Sequence, residues 1–175
     1  MKQRIVMGLA LALCCLPPLA GAADNLRFSG ALVAEPCVIP PGQETIALDF
    51  GNVVDKYLYL NQRTPGVPFA ITLADCDLSL GKTVTVTLSG KESAALPGLL
   101  APAAGSQAAG IAIGLESAAG EALPVNRVGS PVSLSSGNTT LRLQAYVRGE
   151  PEAIINKKLV RGGVNATATF MLEYN

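Results

Sequence analysis

In Val164-Asn165-Ala166-Thr167-Ala168-Thr169-Phe170-Met171-Leu172-Glu173-Tyr174 every even-numbered residue is apolar or aromatic, and every odd one except Met171 is polar. Side chains two apart on an extended chain share a face, so this period predicts a strand with one buried side. The same rhythm recurs upstream. Phe69, Ile71 and Leu73 alternate with Ala70, Thr72 and Ala74. Val84, Val86 and Leu88 alternate with threonines between Gly81 and Gly90, where glycine permits turns. Ile111, Ile113 and Leu115 repeat the pattern, as do Leu141, Leu143, Ala145 and Val147. With a weaker segment at 45–54, the expected strands are 45–54, 68–76, 82–90, 110–116, 139–148 and 163–174. Turn-rich stretches at Pro97-Gly98, Ala101–Gly105, Gly129–Gly137 and Gly162-Gly163 separate them, and a short turn is expected at Pro151–Asn156. Short strands at this spacing predict an all-β fold, a sandwich of immunoglobulin-like type.

The composition is that of a compact globular chain: of 175 residues, 49% are apolar, 15% charged and 5% aromatic. Histidine is absent. That removes every Ser-His-Asp or Cys-His arrangement and every histidine metal site. Formal charge is zero, so the chain has no electrostatic footprint for nucleic acid, whose binding depends on clustered Lys and Arg neutralising phosphates, and no nucleic-acid partner is expected.

Residues 1–22 carry the pattern of a secretory signal: Lys2 and Arg4, an apolar run from Ile5 to Leu16, then Ala20-Gly21-Ala22 as a small-residue cleavage site. The run is about 12 residues, too short to cross a bilayer core of about 30 Å. Cys14 and Cys15 are not expected to form a lipoprotein signal, because Leu13 precedes Cys14 where a small residue is needed, and Cys14 itself precedes Cys15. Of 13 basic residues, Lys2 and Arg4 leave with the signal, so 11 face 13 acidic ones, a net charge of −2. Two of four cysteines also leave. Cys37 and Cys76 remain, in a compartment where disulfides persist, and are expected to be bonded.

Ahead of Cys37, the residues Leu26, Phe28, Gly30, Leu32 and Ala34 alternate with Arg27, Ser29, Ala31, Val33 and Glu35, another good strand. After Cys37 only six strands are expected, where an immunoglobulin-like sandwich has seven. Periodicity fits two readings. The segment folds back as a member of its own sheet, or the domain lacks a strand and exposes unpaired backbone beside an open core.

The residues together resemble the pilin subunits of chaperone-usher fimbriae of Gram-negative bacteria, especially P-pilus-type minor and adaptor subunits. Ala23-Asp24-Asn25-Leu26-Arg27-Phe28-Ser29-Gly30 resembles the family's donor-strand extension, Glu35-Pro36-Cys37 its first-cysteine motif and Asp75-Cys76 its second. Ala94-Ala95-Leu96-Pro97-Gly98, Ala145-Tyr146-Val147 and Ala166-Thr167-Ala168-Thr169-Phe170 resemble further segments. Tyr174 is penultimate and Gly162 precedes the last residue by thirteen positions, as in the family's C-terminal motif. The resemblance implies an incomplete sandwich at 36–175 preceded by a donor-strand extension at 23–35. The missing strand would come first from a periplasmic chaperone and then, at the outer-membrane usher, from a neighbouring pilin subunit, on the way to the cell-surface pilus. Gly162, Val164, Ala166, Ala168, Phe170, Leu172 and Tyr174 would form the groove and chaperone-contact strand. Leu26, Phe28 and Leu32 would each contribute about 1.5–3 kcal/mol on burial in a neighbour, and Gly30 would pass where a groove has no room for a side chain. No enzyme activity, cofactor, metal or small-molecule substrate is implied.

Other candidates read as ordinary structure. Asp75 and Asp77 flank Cys76 at a strand end and are expected to be solvated charges rather than paired catalytic carboxylates. Tyr146 and one or both of Tyr57 and Tyr59 are expected in the core. Lys157, Lys158 and Arg161 form a small basic cluster expected on a solvated loop. The competing function is a receptor-binding, lectin-like sandwich or a tip adhesin; the latter is expected to need a further domain that 153 mature residues do not hold.

Overall fold

The computed structural model describes residues 29–30 and 32–175. The signal at 1–22 and the donor-strand residues Leu26 and Phe28 lie outside them. Residues 34–175 form one unit and the chain up to Val33 another.

The larger unit is a sandwich of two three-stranded antiparallel sheets. In chain order its elements are α1 (Asp55–Asn61), β1 (Val67–Cys76), β2 (Thr83–Gly90), β3 (Ile111–Ser117), β4 (Val132–Ser133), β5 (Gly137–Gly149), α2 (Pro151–Ile155) and β6 (Ala168–Tyr174). One sheet runs β1-β5-β3, the other β4-β2-β6. The inward residues of the alternating runs meet between them: Ile71 and Leu73 of β1, Leu141 and Leu143 of β5 and Val84 of β2 pack with the two cysteines. Cys37 and Cys76 are disulfide-bonded, with Cα atoms 4.1 Å apart. Val38 bridges to Ala74 in both directions, at 2.9 and 2.8 Å, which ties the start of the domain to the end of β1.

Four of the expected strands appear within a residue or two of their bounds. Two expectations need correction. Residues 45–54 form no ladder among the described residues, although Ile46, Leu48 and Phe50 are half-buried and Thr45, Ala47 and Asp49 exposed. The alternation is that of a strand; what is missing is a hydrogen-bonding neighbour. The last strand begins at Ala168 rather than 163, because the backbone of Gly163 and Asn165 is engaged by the 103–108 loop instead of by β2. β4 falls in the segment expected to be a turn. The expected short turn at Pro151 is a five-residue helix, with proline at its first turn where its missing N–H costs nothing. The seven-residue helix α1 was not expected; it buries Leu58 beneath Ile111 and Val147.

Candidate functional site: an open groove beside the last strand

Among the described residues β6 lies at the edge of its sheet, with β2 as its one neighbour. The register decides where its backbone points. Asn175 N–H donates to the Thr83 carbonyl at 3.0 Å and Thr83 N–H to the Asn175 carbonyl at 2.9 Å. In an antiparallel ladder such pairs recur every second residue. The odd-numbered residues of β6 therefore face β2, and the N–H and C=O groups of Ala168, Phe170, Leu172 and Tyr174 face away from it. Upstream the parity continues. The Gly163 carbonyl accepts from Gln107 N–H at 2.8 Å and Ala108 N–H at 3.1 Å, and the Asn165 carbonyl from Ala103 N–H at 2.7 Å. Asn165 N–H donates to Ser106 Oγ at 3.1 Å. Val164 and Ala166 are left on the same free edge as the residues that follow them.

Across from this edge runs the extended 44–50 segment, whose residues 44–48 make no backbone hydrogen bond to another described residue. Between the two lies a groove of about 700 Å³. Its walls are Ile46, Leu48 and Phe50 on one side and 164–170 on the other; its floor is the sandwich interior, with Phe69, Ile71, Leu88, Leu100, Ile113 and Ala145. The volume is within the usual range for ligand pockets, but the shape is a slot flanked by a free strand edge and lined by apolar side chains. Such a site can add a strand, satisfying backbone groups along its length while alternate side chains enter the core.

The structure places the expected groove residues unequally. Val164, Ala166, Ala168 and Phe170 line the groove. Leu172 and Tyr174 share the face of Phe170, all three half-buried against the core around the disulfide, but lie beyond the groove lining. Burial and the nearby Glu35 carboxylate raise the Tyr174 hydroxyl above its ordinary pKa. Gly162 lies outside the strand and the lining; its φ of +148° and the Gln107 Cβ, which occupies the space a side chain would need, make it a turn position that favours glycine. Thr167 and Thr169, exposed, stand on the rim. Of the proposed donor residues within the described part, Gly30, Leu32 and Ala34 are exposed, Leu32 completely so. The opposite wall, Ile46, Leu48 and Phe50, was not singled out beforehand, although its alternation was visible.

The remaining candidates resolve as structure. Asp75 and Asp77 are exposed; the Ser79 hydroxyl, and after it the Ser79 N–H that Asp77 accepts at 2.8 Å, hold the Asp77 carboxyl below the usual range. Tyr146 is buried; Tyr59 accepts from Leu159 N–H at 3.2 Å; Tyr57 is exposed and not in the core. Lys157 and Lys158 are solvated, whereas Arg161 is engaged with Asp55 rather than free in the loop.

Residues 26–175 match the fimbrial protein family. The chain is 33% identical over 160 residues to the Fimbria A protein of Serratia marcescens, covering 89% of each. It is 32% identical over 158 residues to the fimbrial adapter PapK of Escherichia coli, covering 87% of this chain and 88% of PapK. Among solved structures, the P pilus rod subunit PapA superposes with a TM-score of 0.69 at 22% identity, over 81% of this chain and all of PapA, a likeness of fold. A neighbour-ready strand edge on an immunoglobulin-like sandwich, and a sequence match across nearly all of that sandwich, lead to one conclusion: the chain belongs to the fimbrial protein family and is a non-enzymatic structural subunit of chaperone-usher pili.

Proposed function

We propose that this subunit assembles by donor-strand exchange, as a minor or adaptor member of an adhesive pilus. Its groove takes a strand first from a periplasmic chaperone and then, at the outer-membrane usher, from the extension of a neighbouring subunit. Its own residues 23–35, with Leu26, Phe28, Gly30, Leu32 and Ala34 turned inward, fill the groove of the subunit before it. The observation that carries this reading is the pairing of a free strand edge at 164–174 with the unladdered apolar wall at 46–50 across an open floor of core side chains. The likeness to a fimbrial adapter supports the position in the fibre. A receptor-binding role finds no comparable support, because the groove is apolar and strand-shaped.

The test is expression of the mature chain in the periplasm with and without its cognate chaperone. Alone it should aggregate or be degraded, since exposed core and a bare strand edge promote association; together they should yield a one-to-one complex. A stable, monomeric, chaperone-free protein with an empty groove overturns the reading.

A further inference from the structure

The free edge beside the groove is backed by two different neighbours. From Ala168 to Tyr174 it is paired with β2, the ladder ending at Gly90 opposite Ala168. Beyond that point β2 turns away, and the Lys91 carbonyl accepts from Ala101 N–H at 2.7 Å. The 103–108 loop takes its place behind residues 163–165, and its contact centres on Asn165. Ser106 Oγ accepts from Asn165 N–H and donates to the Asn165 carbonyl, both at 3.1 Å, and Ala103 N–H donates to the same carbonyl at 2.7 Å. A single hydroxyl thus does for Asn165 what a strand neighbour does with one N–H and one C=O. A tight turn holds that hydroxyl in place: Ser106 N–H donates to the Ala103 carbonyl at 3.1 Å, with Gly105 at a φ of +92°. Gln107 completes the contact, its N–H on the Gly163 carbonyl at 2.8 Å and its Oε1 accepting from Gly163 N–H at 3.4 Å.

Resting on the donor-strand reading, we propose that Ser106 is a positioning residue for strand acceptance, holding the backbone of Val164 and Ala166 turned toward the groove where an inserted strand pairs with it. Packing fixes the side chains of these two residues, Val164 against the cluster of Leu58, Ile111 and Val147 and Ala166 against that of Leu100, Ile113, Val125 and Ala145. It does not decide where their N–H and C=O groups point. Asn165, between them, decides that: backbone groups alternate sides along an extended chain, so clamping Asn165 on the loop turns both of its neighbours to the free edge. Hydrogen bonds carry the clamp, because Ala101-Pro102-Ala103-Ala104-Gly105 offers little side chain for burial. An edge already extended and facing the groove spares the incoming strand the entropy of ordering it. Ser106 therefore acts on 164–166 and leaves Ala168–Tyr174 to their own ladder with β2.

The experiment is amide hydrogen exchange, resolved by residue, on the full mature chain in complex with its cognate chaperone. In the wild type the N–H groups of Val164, Ala166, Phe170 and Leu172 should all be protected, because each points to the inserted strand. Ser106→Ala removes both hydroxyl bonds to Asn165, so exchange at Val164 and Ala166 should speed up about tenfold while Phe170 and Leu172 change by less than about twofold. Ser106→Thr, which keeps the hydroxyl, should restore the wild-type rates. A serine that only stabilises the domain would move all of these sites together or none. Equal acceleration at all of them, no change at Val164 and Ala166, wild-type protection confined to Phe170 and Leu172, a threonine variant that behaves like the alanine one, or an alanine variant that enters no complex each overturns the positioning role and leaves the strand reading standing. A wild-type complex with none of these amides protected overturns both.

Discussion

The Arg63 guanidinium donates to both carboxylate oxygens of Glu116, at 2.9 and 2.8 Å, while lying 3.6 Å from the centroid of the Tyr146 ring. Glu116 is buried on the outer face of β3, and Tyr146 on β5 presses against Gly114, which has no side chain to obstruct the ring. The hydrogen bonds that Arg63 donates to Glu116 raise its pKa further. Replacing Arg63 with Ala strands a buried carboxylate. We expect a loss of about 2–4 kcal/mol, at or below the figure for fully buried pairs because the Arg63 head keeps some solvent. Glu116→Gln should cost less, since Arg63 can turn to water. Urea unfolding of the strand-complemented subunit measures both; equal losses would show that burial of Glu116 is not what matters.

Asp55 is held below the ordinary carboxylate pKa, first by its hydrogen bond to Arg161. A depressed folded-state pKa contributes stability that is present above the unfolded value and lost as pH falls through the folded one. Asp55→Asn should therefore be less stable than the wild type at neutral pH; the gap should begin to close as pH falls below about 4, the unfolded-state value, and vanish only below the lowered folded-state pKa. Because the pair is at the surface, added salt should narrow the gap at neutral pH. Thermal unfolding from pH 7 to pH 2, at two salt concentrations, checks the sign and the window.

The Cys37–Cys76 bond closes a loop with a sequence separation of 39. Chain-entropy reasoning gives such a closure about 4 kcal/mol of stabilisation. Cys37→Ser with Cys76→Ser should lower the urea midpoint and steepen the slope, because the denatured chain without the cross-link is more expanded and exposes more surface, and periplasmic yield should fall.

Phe170 and Thr169 are neighbours with opposite fates. Phe170 is half-buried in the groove wall and Thr169 is exposed. Phe170→Glu should abolish the chaperone complex and surface display, because it places a charge among apolar side chains at a cost of several kcal/mol. Thr169→Glu should largely preserve both. A pull-down on the tagged chaperone compares them, and equal damage would contradict the face assignment.

Deleting residues 23–34 should leave folding and chaperone binding intact while preventing insertion of this subunit into the one before it. Co-purification with the chaperone, followed by analysis of shed fimbriae, separates these steps; loss of the chaperone complex would place the extension in its own core.

Much of the fold was legible because β1 and the first half of β5 bury one face and expose the other, and because apolar residues still recur at every second position of β2 and β3, where the other face is also covered. The faces of Phe170, Leu172 and Tyr174 could be read in the same way. The exceptions have physical causes. At 45–54 the side-chain rhythm was present, but strand status also needs a hydrogen-bonding neighbour, which no local pattern encodes. α1, Asp-Lys-Tyr-Leu-Tyr-Leu-Asn, buries only Leu58 and alternates Tyr with Leu, so two turns of helix leave no legible 3.6-residue period. Arg63 and Glu116 are 53 residues apart and signal nothing until the fold brings β3 beside Arg63. The second groove wall was missed for the first of these reasons, since Ile46, Leu48 and Phe50 were read as a weak strand and not as one side of a slot.

The disulfide has a mechanical consequence when the fibre is stretched. Tension leaving the domain through Pro36 reaches Cys37 and crosses directly to Cys76, so residues 38–75 sit in parallel with a covalent bond and carry almost none of the load. That sheltered span contains the 44–50 wall and α1. Strain falls instead on the route from Cys76 through β2 to the β2–β6 ladder, whose hydrogen bonds lie across the pull and resist as a group in shear rather than opening one at a time. A pull entering through Pro36 therefore reaches β6 without passing along the 44–50 wall.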